Sequence, residues 1–327
     1  MRKRRNFLML GVLAALAALA LPATSSAQGA YPNRPIKFIV PYSAGGLPDT
    51  VARIFGQRLG ESLGQSVVVD NKPGANGVLA AQVLTSSPAD GYTFMVTDGS
   101  MFSINPAIYR NLGYDYKRDF VPVSLAARAP LYLAVHPKTG VGTLQDFIAL
   151  AKAKPGTLNY GSSGVGSTHH LTIESMKATL GLELQHIPYK GTAQSVPALV
   201  NGEVNVTLSA LPSLIGFVMS NQVKLLAITT AERSTHAPDV PPVADVIPGF
   251  NVAVAIGVLA AAGTPAAAVG RISADMDTIA KNPETVQALA KLGVEAVGST
   301  AAVYGRVIED ENARFAKAIQ AAGIKPE

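Results

Sequence analysis

The chain has 327 residues, with 27 Lys and Arg against 22 Asp and Glu, and neither Cys nor Trp. Without Cys there can be no disulfide, no thiolate nucleophile and no zinc–thiolate site. Without Trp, and with aromatic residues at only 6% of the chain, there is no rich aromatic cage for sugars or bases.

The chain opens on a leader. Arg2-Lys3-Arg4-Arg5 is a basic n-region, Phe7–Leu21 is an apolar run too short for a comfortable membrane span, and Ser25-Ser26-Ala27 supplies small residues for cleavage after Ala27. This order reads as a secretory signal peptide over residues 1–27. Arg4-Arg5-Asn6-Phe7-Leu8 also fits a twin-arginine signal loosely, so the export route stays open. The leader holds four basic residues and no acidic one, which leaves 23 basic against 22 acidic residues in the mature chain. No basic stripe remains to bind nucleic acid. No second long apolar run predicts membrane insertion after cleavage. Roughly 300 mature residues suffice for two domains of ordinary size.

After the leader, short β-branched runs alternate with helical patterns. Lys37–Val40 reads as a strand, and Asp49–Leu63 as a helix with Val51, Ile54, Phe55, Leu59 and Leu63 on one face. Strand Ser66–Asp70, loop Asn71–Gly77, helix Val78–Thr85 and strand Tyr92–Thr97 follow. The rhythm resumes with helix Leu144–Lys154, strand Leu158–Tyr160, helix Ser167–Leu180, strand Leu184–Pro188 and helix Ala193–Val200, then strands Val204–Leu208 and Val223–Thr229. Such alternation predicts parallel sheets covered on both faces by helices. Two apolar stretches without helical period, Pro130–Val135 and Asn251–Ala260, read as extended connectors between two lobes. The first lobe is then discontinuous, residues 31–128 plus 250–327, and the second is 129–249. A ligand would sit in the cleft between them.

Three loops stand at strand-to-helix corners, where α/β lobes place their ligands. The first is VPYSAGGLPDT, Val40–Thr50. Gly45-Gly46 lets backbone N–H groups approach a ligand, and Pro48 opens a helix whose free N–H groups favour an anion. Taken alone, such a corner is better explained by a plain tight turn, and Asp49 by stabilisation of the helix end. The second loop, NYGSSGVGSTHHL over Asn159–Leu171, is denser in donors: Ser162, Ser163, Ser167 and Thr168 around Gly164 and Gly166. It is no P-loop, since Ser167 stands where Lys is required, and no dinucleotide loop, since His169 occupies the third Gly position. Val165 removes the nucleophile elbow around Ser163. What remains suits a carboxylate or another small oxyanion. His170 and Glu174 are spaced as a metal pair without a third ligand, and an orienting or ligand-facing His is the better reading of the His169-His170 pair. The third loop, QHIPYKGT over Gln185–Thr192, offers Lys190 as cationic partner or as surface charge. Three convergent loops together favour an anion site.

These segments resemble the Bug (Bordetella uptake gene) family, periplasmic solute-binding components of tripartite tricarboxylate transporters. The resemblance rests on Tyr31–Arg53, Val67–Gly77, Pro88–Thr93, Ile104–Ser124, Asn159–Leu171 and His186–Val204, in that order along the mature chain. It implies a type II periplasmic-binding-protein fold, two doubly wound α/β lobes with a ligand cleft between them. It implies a non-enzymatic, periplasmic, monomeric protein that hands a small carboxylate to integral membrane permease subunits, with no cofactor and no metal. The ligand contacts it implies here are Tyr42, Ser43, Gly45, Gly46 and Asp49, then Ser162, Ser163, Gly164, Gly166, Ser167, Thr168 and His169, then Tyr189, Lys190, Gly191 and Thr192. Two departures bear on specificity. Ser209 stands in the site where the family often has Asp, which weighs against a ligand bearing an ammonium group. Ala253–Gly257 is small and apolar where the family often carries Trp. The alternatives are an exported serine hydrolase using Ser163 and a His, and a periplasmic sensor input for a carboxylate.

Overall fold

Runs of Val, Ile, Phe and Met that stop at Pro, Gly or Asp become strands, and the apolar faces of the intervening helices cover them. The structure, a computed structural model, describes residues 31–321; the leader expected over residues 1–27 lies outside them. Two sheets are present. The first has six strands in the order β11 (Glu295–Ala296), β4 (Phe120–Pro130), β10 (Ala253–Ala261), β3 (Thr93–Thr97), β1 (Ile36–Val40), β2 (Val67–Asn71). The second has five, in the order β7 (Gln185–Pro188), β6 (Asn159–Ser162), β8 (Val206–Ser209), β5 (Tyr132–Val135), β9 (Lys224–Ile228).

The parallel expectation holds for β2-β1-β3 and for β7-β6-β8. It fails elsewhere: β10 is antiparallel to β3 and β4, β11 to β4, and β5 to both β8 and β9. The expected connectors are themselves strands. Pro130 ends β4 and Tyr132 begins β5, so Leu131 alone carries the chain from one sheet to the other. Most of Asn251–Ala260 is β10, running back through the first sheet. A chain that passes straight from sheet to sheet cannot make the helical crossover that a parallel neighbour needs.

Both passages meet at Thr229. Leu131 donates its N–H to Thr229 Oγ1 (2.9 Å), and Thr229 returns its own N–H to the Leu131 carbonyl (2.9 Å). Val252 N–H donates to the Thr229 carbonyl (2.8 Å), and the Thr229 hydroxyl donates to the Val252 carbonyl (2.7 Å).

The helix Leu47–Leu63 buries Val51, Phe55 and Leu59 along one stripe, each worth about 1.5–3 kcal/mol when fully removed from water. On the first sheet Phe38 and Phe94 meet edge to face at 6.4 Å. The second sheet has its own core around Tyr132, Val196, Leu199 and Leu214. A third cluster, Ile104, Ile108, Leu171, Phe315 and Ile319, seats the helix Ala301–Ala321 against the helix Thr168–Leu180. The carboxyl ends of β1, β2, β3, β6 and β7 thereby open toward one another, and the loops leaving them build the site. No helix among the described residues is long and apolar enough to cross a membrane.

Candidate functional site

The loop after β1 is shaped from within. Gly45 has φ +85°, a left-handed backbone that suits Gly. Its N–H donates to the Asp49 carboxylate at 2.8 Å. Arg53 Nε (3.0 Å) and Asn71 Nδ2 (3.0 Å) donate to the same group. Burial pushes the Asp49 pKa up, but the Arg53, Gly45 and Asn71 donors outweigh it and hold the carboxyl below its usual range. Asn71 Nδ2 also reaches the Tyr42 carbonyl at 2.9 Å, which ties the loop to β2.

The loop after β6 is braced from behind by two histidines. Gly166 N–H donates to His170 Nδ1 (2.9 Å), and Ser162 Oγ lies 2.6 Å from His186 Nε2. The His170 and His186 rings stack 4.0 Å apart at 9°, and Tyr160 stacks with His186 at 4.8 Å. The Tyr160 hydroxyl donates to Glu174, which also accepts from Lys177. Burial lowers the pKa of His170 to about 4 and of His186 to about 3, so both rings are neutral at neutral pH.

The loops of the two sheets touch. Ser43 Oγ donates to the Lys190 carbonyl (3.3 Å), Asn76 Nδ2 donates to the Gly166 carbonyl (3.1 Å), and Thr168 N–H donates to Ser100 Oγ (3.3 Å). They enclose a cavity of about 370 Å³ whose lining includes Tyr42, Asn76, Ser163, Gly164, Lys190 and Gln194. Tyr42 and Ser163 also line a small inner chamber together with Gly46, Asp98, His169 and Thr192. A larger hollow of about 470 Å³ runs along Arg128, Thr230, Arg233 and Glu295, but no residue of the three loops lines it.

Of the residues expected at the site, Tyr42, Gly46, Ser163, Gly164, His169, Tyr189, Lys190 and Thr192 line the cavity or the chamber. The others stand behind them. Asp49 is spent on Gly45, Arg53 and Asn71, and Gly45 on Asp49. The Ser162 hydroxyl is engaged by Gly164 and His186. Ser167 caps the helix by accepting from His170 N–H, and Thr168 meets Ser100. Gly166 directs its N–H to His170, and a Cβ there would strike Ile108 and not a ligand. Ser43 reaches Lys190, Gly191 packs on Ser43, and Ser209 is fully buried without lining either space.

Two further contributors follow strands that the sequence already marked. Asn76 lies in the loop after β2. Asp98 sits one residue past β3, is 2% exposed, and accepts from the Tyr42 hydroxyl (2.9 Å) and Ser100 N–H (3.0 Å). The rule that strand ends carry ligands applied to both as well as to the three loops.

Ser163 Oγ does lie 2.7 Å from His169 Nδ1. Burial alone lowers the His169 pKa to about 4, with no carboxylate acting on the ring. A nucleophile pair needs a base poised near working pH and a group that orients it, and among the described residues no carboxylate orients His169. Among the described residues no group of three or more His, Asp or Glu could hold a metal, and His170 and Glu174 stand 4.0 Å apart.

Two α/β lobes with strand-end loops meeting across a cavity define a solute-binding protein of the type II periplasmic kind. The profile of the tripartite tricarboxylate transporter family receptor matches residues 51–324. Protein BugT of Bordetella pertussis is 32% identical over 99% of both chains. The structure of R. palustris Rpa4515 with adipate superposes with a TM-score of 0.89 at 35% identity, covering 91% of this chain and 100% of that one. MatC of Rhodopseudomonas palustris with bound malate gives 0.83 at 26% identity, over 88% and 100%. The chain belongs to the tripartite tricarboxylate transporter receptor family, the family of the Bug proteins.

Proposed function

We propose that this chain is an exported receptor that captures a small organic carboxylate in the periplasm and passes it, chemically unchanged, to integral membrane permease subunits. The family supports the receptor role, and the relatives solved with adipate and with malate support a carboxylate ligand. The observation that carries the reading is the cavity of about 370 Å³: its lining holds backbone and hydroxyl donors, one cation, Lys190, and no acidic side chain among the described residues. Neutral donors at loop and helix ends suit a carboxylate of modest charge. In this reading Tyr42, Gly46, Ser163, Gly164, His169, Tyr189, Lys190 and Thr192 face the ligand, and Asp49, His170 and His186 hold the loops. Within the described residues, 31–128 with 250–321 form one lobe and 129–249 the other, and the protein works as a monomer. The weak base at His169 argues against hydrolysis. The test is a thermal-shift screen of mono-, di- and tricarboxylates, aromatic acids included, against neutral sugars. A ligand at one hundred times its Kd stabilises by about 2.7 kcal/mol, so the correct carboxylate raises the melting temperature by several degrees. Stabilisation by sugars or cationic amines, with none by any carboxylate, overturns the reading.

A further inference from the structure

We infer that the ligand carries a hydrogen-bond donor, a hydroxyl or an ammonium, at the end remote from its carboxylate, and that Asp98 reads it. This inference rests on the carboxylate reading and narrows it. The outer cavity and the inner chamber share Tyr42 and Ser163 as lining residues, so the two spaces adjoin at those side chains, and in this inference the ligand spans both there. The two ends differ in sign. Lys190 lines the outer cavity, whereas the only charged residue lining the inner chamber, among the described residues, is the acid Asp98. Asp98 is positioned to be read: the Tyr42 hydroxyl and Ser100 N–H both donate to Oδ1, which fixes the carboxyl plane, and both partners are neutral.

Size selects in the same direction. The chamber offers about 10 Å³ to a water-sized group, which is about what one water needs. A hydroxyl or an ammonium is that size; a second carboxylate has three heavy atoms. A carboxylate would also lie against the buried Asp98, where like charges repel more strongly than in water. Burial raises the Asp98 pKa, and a donor placed against the carboxyl would relieve that cost. The absence of an acid at Ser209 therefore does not leave the cleft without an acceptor for a donor-bearing ligand.

The test is calorimetric titration of the mature protein at neutral pH with hexanoate, 6-hydroxyhexanoate, 6-aminohexanoate and adipate, and with their four- and five-carbon counterparts. At the length that fits, the hydroxy or the amino acid binds about tenfold or more tightly than both the plain alkanoate and the dicarboxylate, as expected for one buried hydrogen bond to a charged acceptor. Asp98→Ala abolishes that preference, so that the hydroxy and amino acids bind no more tightly than the plain alkanoate of their length. Asp98→Asn keeps the shape and an acceptor: it retains a hydroxyl preference but loses an ammonium preference, which separates the two donors. A dicarboxylate that outbinds both donor-bearing acids of its length in the wild type overturns the inference, as does a preference that survives in Asp98→Ala. If no carboxylate of any series binds, the receptor reading itself falls. The wild-type panel decides the question even where a variant fails to fold.

Discussion

Asp49 illustrates how a residue beside a ligand can matter without touching it. Its carboxylate gathers Gly45 N–H, Arg53 and Asn71, and so sets the curve of the loop that carries Gly46. Asp49→Asn loses charge-assisted bonds at a position only 2% exposed, and should cost roughly 1.5–3 kcal/mol of stability. Chemical denaturation reads this directly; a cost under half a kcal/mol would show that the loop holds its shape without the acid. Gly166 makes the complementary point. Its φ of +68° alone penalises a side chain, by roughly 1–2 kcal/mol, and a Cβ would also meet Ile108 across the cleft. Gly166→Val should lower the melting temperature and weaken carboxylate binding together, because it strains the loop and props the facing surfaces apart. Ile108→Ala added to Gly166→Val should recover part of both losses. If the second change recovers nothing, the contact with Ile108 is not the cause.

At the scale of elements, the stacked pair His170 and His186 turns the loop after β6 into a pH-sensitive part. Burial lowers the pKa values to about 4 for His169, about 4 for His170 and about 3 for His186. These folded values lie below the usual unfolded value of about 6.5. The stability they confer is therefore complete above that value and is lost as pH falls toward the folded values, since the unfolded chain takes up protons first. Melting temperature should drop steadily from pH 6.5 to pH 5, and His186→Gln should flatten the slope. A wild-type profile that stays level over that interval would mean that these rings are solvated. The element that creates this device was only partly legible in the sequence. The donors of Asn159–Leu171 could be read from Gly and Ser, but His186 comes from another strand, and nothing local announces that β7 pairs with β6. Likewise β1, β2 and β3 announce themselves as short apolar runs bounded by Pro, Gly or Asp. β4 does not, because Pro122, Arg128 and Pro130 interrupt it, and Pro argues against a strand. β10 is buried on both faces and so shows no alternation that would distinguish a strand from a connector. Asp98 was within reach of the strand-end rule and was hidden by its sequence neighbours, which look like an ordinary turn.

For the whole molecule, the arrangement around Leu131 and Thr229 limits what the two lobes can do. One residue on the outward passage and a four-bond tie to the return passage leave little room for sliding. What remains is rotation about the shared line, the hinge mode of closure. Small-angle scattering should show a smaller radius of gyration when the screened carboxylate saturates the protein. An unchanged radius at saturation would remove hinge rotation from the mechanism. Thr229→Val, which deletes the hydroxyl while keeping the shape, should loosen the tie and reduce stability by about 1–3 kcal/mol through the unpaired Leu131 N–H and Val252 carbonyl.

The strand order also fixes when the first sheet can be completed. β10, residues 253–261, is inserted between β3 and β4, so two strands made early wait for one made late. Until it arrives, β3 and β4 each present an unpaired edge, the kind that templates aggregation. The second sheet has no such delay, since all its strands lie between residues 132 and 228. Folding therefore has an order written into it: the second sheet closes first, and the first waits for a contact of long sequence separation, which is slow to form. A chain ended after Gly249 should show protected amides in the second sheet and exchange freely along β3 and β4. The late arrival of β10 thus sets the moment at which β3 and β4 lose their unpaired edges.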